Sequence, residues 1–496
     1  MALVTTEHPE RYDLVILGAG PAGYAAAVRA YDLGKQVLLI EKDRIGGRGV
    51  QEGALSSKTM WHLANDYAGA RRSDRGFVAR DVDLSYASVM RAVDAAVCER
   101  RELLSRQLEG LGGAGCETGG RVWRESGTGR FVSPHEVDIE RADGSAMRVR
   151  ADYYLIATGS VPRQLPGIDV DGDLVVTSDQ IESWPSFPGS MVVVGAGVVG
   201  CEFATVFGHY GQTKLYLLDR RPRILPFEDA DVSQLITHSF EEMGVTIHRS
   251  ANLESLKVVD GAVEYTVTSP EGTQTLRVDR ALISAGRVPN TAGIGLEAAG
   301  VEVGRSGGIT VDGTRTTAHH IFAAGDTTAD VALANVAELE GRHAVETMFG
   351  LAPHPIGYDA LSAIMFLQPE VASVGLGEQQ ARERGVPYRV AVVHNQLVSR
   401  NVAMRATGGF IKLLARPDSH RILGLRVVGP QASSCIQGIA FLIEKDATLE
   451  DIDYCVHPHP AVTEGVQECA RLLLGRSLHK PSFLPSDLLR VDEYRP

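Results

Sequence analysis

YDLVILGAGPAGYAAAVRAYDLGKQVLLIE, Tyr12 to Glu41, decides the fold of this 496-residue chain. An apolar run of strand length, 12–17, leads into Gly18, Gly20 and Gly23. A helical stretch follows through Gly34, and a second apolar run ends at Glu41. This is a βαβ dinucleotide fingerprint in full context. Gly18 allows the tight turn, Gly20 lets the backbone approach a pyrophosphate, and Gly23 lets the helix pack close to the strand. The helix N-terminus offers unpaired N–H groups and partial positive charge to phosphates. Glu41 arrives where a carboxylate can accept from both ribose hydroxyls.

Working outward, the pattern recurs once. MVVVGAGVVG carries Gly195, Gly197 and Gly200, and the strand KLYLLD ends at Asp219. Two units imply two nucleotides, or one nucleotide site and one relic, and the first reading is preferred. Between them lie a helical stretch over 86–111 and a strand-rich segment ending in YYLIATGS, Tyr153 to Ser160. ALISAGRVPNT, Ala281 to Thr291, closes the second unit as ATGS closes part of the first. IFAAGD, Ile321 to Asp326, reads as a buried strand before a helix beginning near Val331. Asp326 there either holds a ligand hydroxyl at a sheet's carboxyl edge or caps the helix. Past about 355 the strand-like segments YRVAVV, FIKLLA and ILGLRVVG alternate with turns, and helices are expected over 431–445 and after Thr463. This reads as an α+β domain with an antiparallel sheet. The fold class is α/β: two Rossmann-like domains plus a C-terminal α+β domain, with an extended tail from about Lys480.

Composition narrows the function. The net charge is −13, and an acidic surface repels phosphate backbones, so no nucleic acid partner is expected. No run of 18 apolar residues is present, so no membrane span is expected. The start, MALVTTEHPERYD, is too polar for a signal peptide, which makes the cytoplasm the expected location. Cys98, Cys116, Cys201, Cys435, Cys455 and Cys469 form no C-x-x-C and no metal-ligand cluster, and free, buried thiols are expected.

One further stretch carries chemistry: GGRGVQEGALSSK, Gly46 to Lys58. With the two fingerprints, ATGS, the Gly-Asp after a strand and a C-terminal HPHPAVTE, it gives the chain a resemblance to the pyridine nucleotide–disulfide oxidoreductases over roughly residues 11–475. That family's pattern is GG-x-C-x-x-x-x-C-x-P-S-K. Here Gly46, Gly47, Gly53, Ser57 and Lys58 keep the frame. Gly49 and Ala54 stand at the cysteine positions and Ser56 at the proline. Gly49 is a poor helix residue, so a remodelled helix is expected here.

The resemblance implies FAD on the first fingerprint, NAD(H) or NADP(H) on the second, and a homodimer built through the C-terminal domain. It divides the chain into an FAD-binding domain (1–160, resumed over 286–355), an NAD(P)-binding domain (161–285), a dimerisation domain (356–478) and a tail (479–496). It matches Gly18, Gly20, Gly23, Glu41, Gly47, Thr158, Gly159 and Asp326 to FAD contacts. Gly195, Gly197, Gly200, Asp219, Arg220 and Gly286 match the nicotinamide nucleotide site. Lys58 matches the lysine beside the flavin's reactive nitrogen, and Glu202 its acidic partner. A cation there stabilises negative charge on the reduced ring, and the carboxylate keeps the lysine ionised. His459 matches an acid–base histidine and Glu464 the carboxylate that orients it. His457 reads as structural.

Gly49 and Ala54 can form neither a disulfide nor a thiolate. Cys201, inside the second fingerprint, is the one cysteine in a cofactor motif and reads as a small packing residue. Hydride transfer from NAD(P)H to flavin survives, and the electrons must leave by another route. A small-molecule acceptor such as a quinone, protonated by His459, makes an NAD(P)H:acceptor oxidoreductase. A second nicotinamide makes a soluble transhydrogenase. A binding or regulatory flavoprotein with little turnover is the third reading. Asp219 favours NADH, while Arg220 and Arg221 offer a hold for the 2′-phosphate of NADPH, so NADH with NADPH accepted is expected.

Overall fold

The computed structural model describes residues 8–113, 119–485 and 487–496. Its first domain is built on a sheet in which Arg121–Ser126, Gln36–Glu41, Tyr12–Leu17, Ala146–Ile156 and Ile321–Ala323 lie side by side and parallel. Leu14, Val15 and Ile16 are wholly buried, as expected of a strand covered on both faces. Ile321–Ala323 comes from the later part of the chain, so the domain is discontinuous.

The first fingerprint helix, Pro21–Asp32, has proline at its start, where a missing N–H costs nothing. It buries Ala22, Ala26, Ala27 and Ala30. Their small size lets the helix Ala334–Met348 approach closely. At Gly341 on that second helix, a side-chain carbon would lie 2.1 Å from the Ala22 carbonyl oxygen.

The second domain repeats the plan. Thr246–His248, Lys214–Leu218, Ser190–Val194, Arg280–Ile283 and Val175–Thr177 form a parallel sheet. Ser160–Pro162 pairs antiparallel with Arg287–Pro289 where the chain leaves and re-enters the first domain.

The C-terminal domain carries a six-stranded antiparallel sheet backed by Ala432–Glu444 and Glu464–Leu473. Lys412, fully buried, bolts it to the second domain. Its Nζ lies 2.8 Å from Asp229, 2.6 Å from Asp231 and 3.3 Å from Glu378.

The reading of 479–496 as a tail needs correction. Leu489–Tyr494 pairs with Tyr388–His394 as the edge strand of this sheet, and Arg490 bonds Glu378 beside Lys412. The proline-rich approach hid a six-residue strand whose partner lies about a hundred positions upstream.

Among the described residues no helix is long and apolar enough to cross a membrane. Of the cysteines, Cys201, Cys435 and Cys469 are free and buried. Cys98 is half-buried and Cys455 exposed, against the expectation that all are buried, because Cys455 follows the end of the short helix Leu449–Tyr454 on the surface. Cys116 lies outside the described residues.

Candidate active site

The two glycine loops are built alike. Gly18 has φ +105° and Gly195 +107°. A side-chain carbon would meet the Ala157 carbonyl at 2.3 Å and the Ser284 carbonyl at 2.5 Å, respectively. Gly23 and Gly200 press on the carbonyls of Gly18 and Gly195 at 1.8 and 1.9 Å on the same test. Gly20 and Gly197 differ: a carbon added at Gly20 meets only Gly47 Cα, at 4.0 Å, and one at Gly197 meets nothing. Each loop therefore leaves an open cradle at the start of a helix, the place a pyrophosphate needs.

Each loop is also tied to its acid. Glu41 Oε2 accepts from Ala19 N–H at 2.6 Å, and Asp219 Oδ2 from Ala196 N–H at 2.8 Å. The second oxygens accept from Asp43 N–H (2.9 Å) and Arg221 N–H (2.8 Å). Both carboxylates are held at the strand ends where ribose hydroxyls would lie. Arg220 and Arg221 are exposed, and their side chains enter no ion pair among the described residues.

Between the loops, Thr158 Oγ1 donates to the Asn290 carbonyl at 2.8 Å. Gly159 and Gly286 hold positive φ at the crossing between domains, and Gly159 faces open space. Asp326 is the first residue of a short 3₁₀ turn whose cap is Gly325, and no side-chain cap hydrogen bond forms there, so Asp326 does not act as a helix cap. Its Oδ2 accepts from Ser160 Oγ at 2.6 Å. Glu340, buried, accepts from Gly325 N–H at 2.7 Å and from the Tyr358 hydroxyl at 2.8 Å. Burial pushes the Glu340 carboxyl up despite these donors.

Lys58 and Glu202, 144 residues apart, meet at 2.8 Å. Glu202 Oε1 accepts from Phe366 N–H at 3.0 Å, and Lys58 Nζ stands over the Phe366 ring. The pair is therefore fully engaged rather than two surface charges.

The stretch Gly46 to Lys58 is not one helix. Gly47–Val50 is a single turn, Gln51 to Gly53 break away, and a long helix runs over Ala54–Ala70. A side-chain carbon at Gly49 would lie 2.8 Å from Pro21 Cγ, and one at Gly47 the same distance from Gly20 Cα. The turn has settled onto the first fingerprint helix, in space that a side chain at 49 would fill. Beside it a cavity of about 970 Å³ is lined by Tyr24, Val28, Gly49, Val50, Leu55 and Leu104, among others. The Tyr24 hydroxyl is buried, with no hydrogen-bond partner among the described residues.

His459 Nδ1 lies 2.8 Å from Glu464 Oε1, and Glu464 Oε2 accepts from Ala461 N–H at 2.8 Å. Partial burial alone would raise the Glu464 carboxyl. The Ala461 amide, His459 and His457 outweigh it and hold the group below its ordinary range. The His459 side chain is 70% exposed, so its free nitrogen faces outward from this subunit. Cys201 is fully buried, with its thiol pushed well up by desolvation and by Asp219 and Glu202. It is a packing residue, not a thiolate.

Sequence reasoning missed Asp179, Arg287, Ser160, Glu340 and the cavity. Arg287 and Ser160 lay in quoted motifs. The others announce themselves only through partners in distant parts of the chain.

The open cradles at Gly20 and Gly197 and the acids beyond them fit two dinucleotides. The family model described as pyridine nucleotide-disulphide oxidoreductase matches residues 12–341, and its dimerisation domain matches 361–470. Mitochondrial dihydrolipoyl dehydrogenase of Pisum sativum is 33% identical over 94% of this chain and 92% of its own length. Dihydrolipoyl dehydrogenase of Bacillus subtilis is 31% identical over 94% and 99%. The crystal structure of LpdA from Mycobacterium tuberculosis superposes with a TM-score of 0.85 at 31% identity, covering 94% of this chain and 100% of that one.

Proposed function

The chain belongs to the pyridine nucleotide-disulphide oxidoreductases, FAD-dependent and homodimeric through their dimerisation domain, and from that premise we propose that it is an NAD(P)H:acceptor oxidoreductase working without a redox disulfide. The acceptor is a small molecule such as a quinone. When bound, FAD supplies a two-electron relay between the nicotinamide and that acceptor.

Glu41 would hold the adenosine ribose and Asp326 the ribityl chain of FAD, and Gly18, Gly20, Gly23, Gly47, Thr158 and Gly159 would line the site between them. Gly195, Gly197, Gly200, Asp219, Arg220 and Gly286 receive the nicotinamide nucleotide. Lys58, paired with Glu202, stabilises negative charge beside the flavin position. His459, oriented by Glu464, faces the partner subunit and delivers a proton to the reduced acceptor. A cytoplasmic setting, where NAD(P)H is made, belongs to the same proposal.

The observation that carries this reading is the cavity beside Gly49 and Leu55. No sulfur stands at 49 or 54. What the site offers instead is a mixed lining, apolar at Val28, Val50, Leu55 and Leu104 and charged at Arg29, Glu99, Arg100, Glu338 and Arg342, which suits a ring bearing polar oxygens. Anaerobic mixing with NADH, followed by a quinone or by a thionicotinamide analogue of NADP, tests it. Flavin bleaching reversed by the quinone alone supports the acceptor reductase. Reversal by the analogue makes the chain a transhydrogenase. No bleaching with either NADH or NADPH leaves a binding or regulatory flavoprotein.

A further inference from the structure

Where the family pattern places two cysteines, this chain has a broken helix that must be held by something else. Two side-chain ties close the break. Arg48 reaches across it to Glu52, NH1 to Oε2 at 2.5 Å, and Gln51 Nε2 donates to the Ile45 carbonyl at 2.9 Å. Arg44 adds a weaker contact to Glu52 at 3.5 Å.

Arg48 also points a second way. Its NH2 lies 3.3 Å from Asp179 Oδ2, and Asp179 Oδ1 accepts from Arg287 NH1 at 3.0 Å. Arg287 Nε donates to Ser160 Oγ at 2.9 Å, and Ser160 Oγ donates to Asp326 at 2.6 Å. A continuous polar chain thus runs from the vacated cysteine region to the acid at the far end of the FAD site. The near end touches that site too, because Gly47 lies on Gly20.

We propose that Arg48 is a positioning residue for FAD: its guanidinium fork fastens the Gly46–Gly53 segment to the Asp179–Arg287–Ser160–Asp326 chain and so fixes both walls of the flavin site together. The fork matters. A planar guanidinium can serve two carboxylates at once with fixed geometry, whereas a lysine is a single point charge. Arg48 is 43% exposed but Asp179 only 11%, so the junction is shielded on one side. An isolated exposed ion pair would add little. Coupling through the chain is what the proposal requires.

The inference rests on FAD occupying the first fingerprint, and not on the acceptor's identity. The test is FAD titration of apoprotein, followed by flavin fluorescence and by circular dichroism in the visible flavin bands, for R48M, R48K, D179N and R48M/D179N. R48M and D179N should each weaken FAD binding roughly 3- to 30-fold, and the double variant no more than the worse single one. R48K should recover only part of the loss, and the flavin dichroism should change in all four. Affinities within about two-fold of wild type, or fully additive losses, overturn the proposal. If D179N does not fold, salt decides. Added salt should weaken FAD binding more steeply in wild type than in R48M, and equal slopes overturn the proposal. A protein that shows these dependences yet reduces no quinone would sink the acceptor reading and leave this one standing.

Discussion

Lys58 Nζ stands 2.8 Å from Glu202 Oε2, while the other oxygen of Glu202 accepts the Phe366 N–H. One carboxylate thereby joins the first-domain lysine to the second fingerprint helix and to the entrance of the C-terminal domain. The cation is held by groups from all three regions of the chain.

Removing that cation should slow the chemistry and also leave the nearly buried Glu202 without its partner. Lys58→Met is expected to slow anaerobic flavin reduction by NADH by about 10²-fold, with FAD still bound. Glu202→Gln should give a smaller loss, since the neutral amide can still serve Phe366 N–H. Stopped-flow flavin absorbance reads both. Unchanged reduction rates in Lys58→Met would remove the lysine from the mechanism.

Asp219 spends both oxygens on backbone amides at the turn where a ribose would sit, with two arginines after it whose side chains enter no ion pair among the described residues. Asp219→Ala should shift the NADH/NADPH ratio of kcat/KM toward NADPH by roughly ten- to a hundred-fold, the worth of hydrogen bonds to a charged acceptor. The wild-type enzyme should prefer NADH modestly. A strong native preference for NADPH would contradict the assignment.

The Lys412 bolt gives a pH prediction. Burial alone would raise the carboxyls of Asp229 and Glu378. Lys412 and the Gln379 amide outweigh it on Asp229, and Arg490 and Lys412 on Glu378, so both titrate below the ordinary carboxylate range. A carboxyl lowered on folding contributes stability that is fully present above its unfolded pKa and is lost as pH falls through the folded one. Asp229→Asn should cost about 3 kcal/mol at neutral pH, because it strips a buried lysine of a partner. The wild-type advantage should shrink below about pH 4. Denaturant unfolding across a pH series checks both the size and the direction.

The turn at Gly49 gives a fourth. Restoring both sulfurs with Gly49→Cys and Ala54→Cys should not create a dihydrolipoamide reductase, because the Gly49 position is closed by Pro21 and the helix that would align the thiols is broken. The Gly49→Cys change alone should destabilise by about 1–3 kcal/mol through overpacking. A thiol count and a dihydrolipoamide assay on the double variant decide it. A formed disulfide with reductase turnover would show that the broken helix is no obstacle.

What the sequence made legible was what short spacing encodes. Each glycine loop sits within thirty residues of the acid at the end of its own second strand, Gly18 with Glu41 and Gly195 with Asp219, and strands and helices alternate over the same short spans. The α/β architecture with its antiparallel C-terminal domain followed from them. The Lys58–Glu202 and His459–Glu464 contacts were reachable through the family frame. Asp179 and Arg287 were not: they are 108 residues apart, and nothing local marks Asp179. The edge strand Leu489–Tyr494 was lost behind Pro481 and Pro485. Exposure of Cys455 depends on where the helix Leu449–Tyr454 stops, which composition does not reveal.

The central claim is that this subunit carries no redox disulfide in its electron path. Anaerobic titration of the FAD-loaded protein with dithionite or NADH counts the electrons directly. FAD alone takes up two electrons per subunit, and a participating disulfide takes two more. The account predicts complete flavin reduction at one two-electron equivalent per subunit, with no further uptake. Uptake of two equivalents, with the flavin bleaching only in the second, would contradict it and would place a cysteine pair in the path.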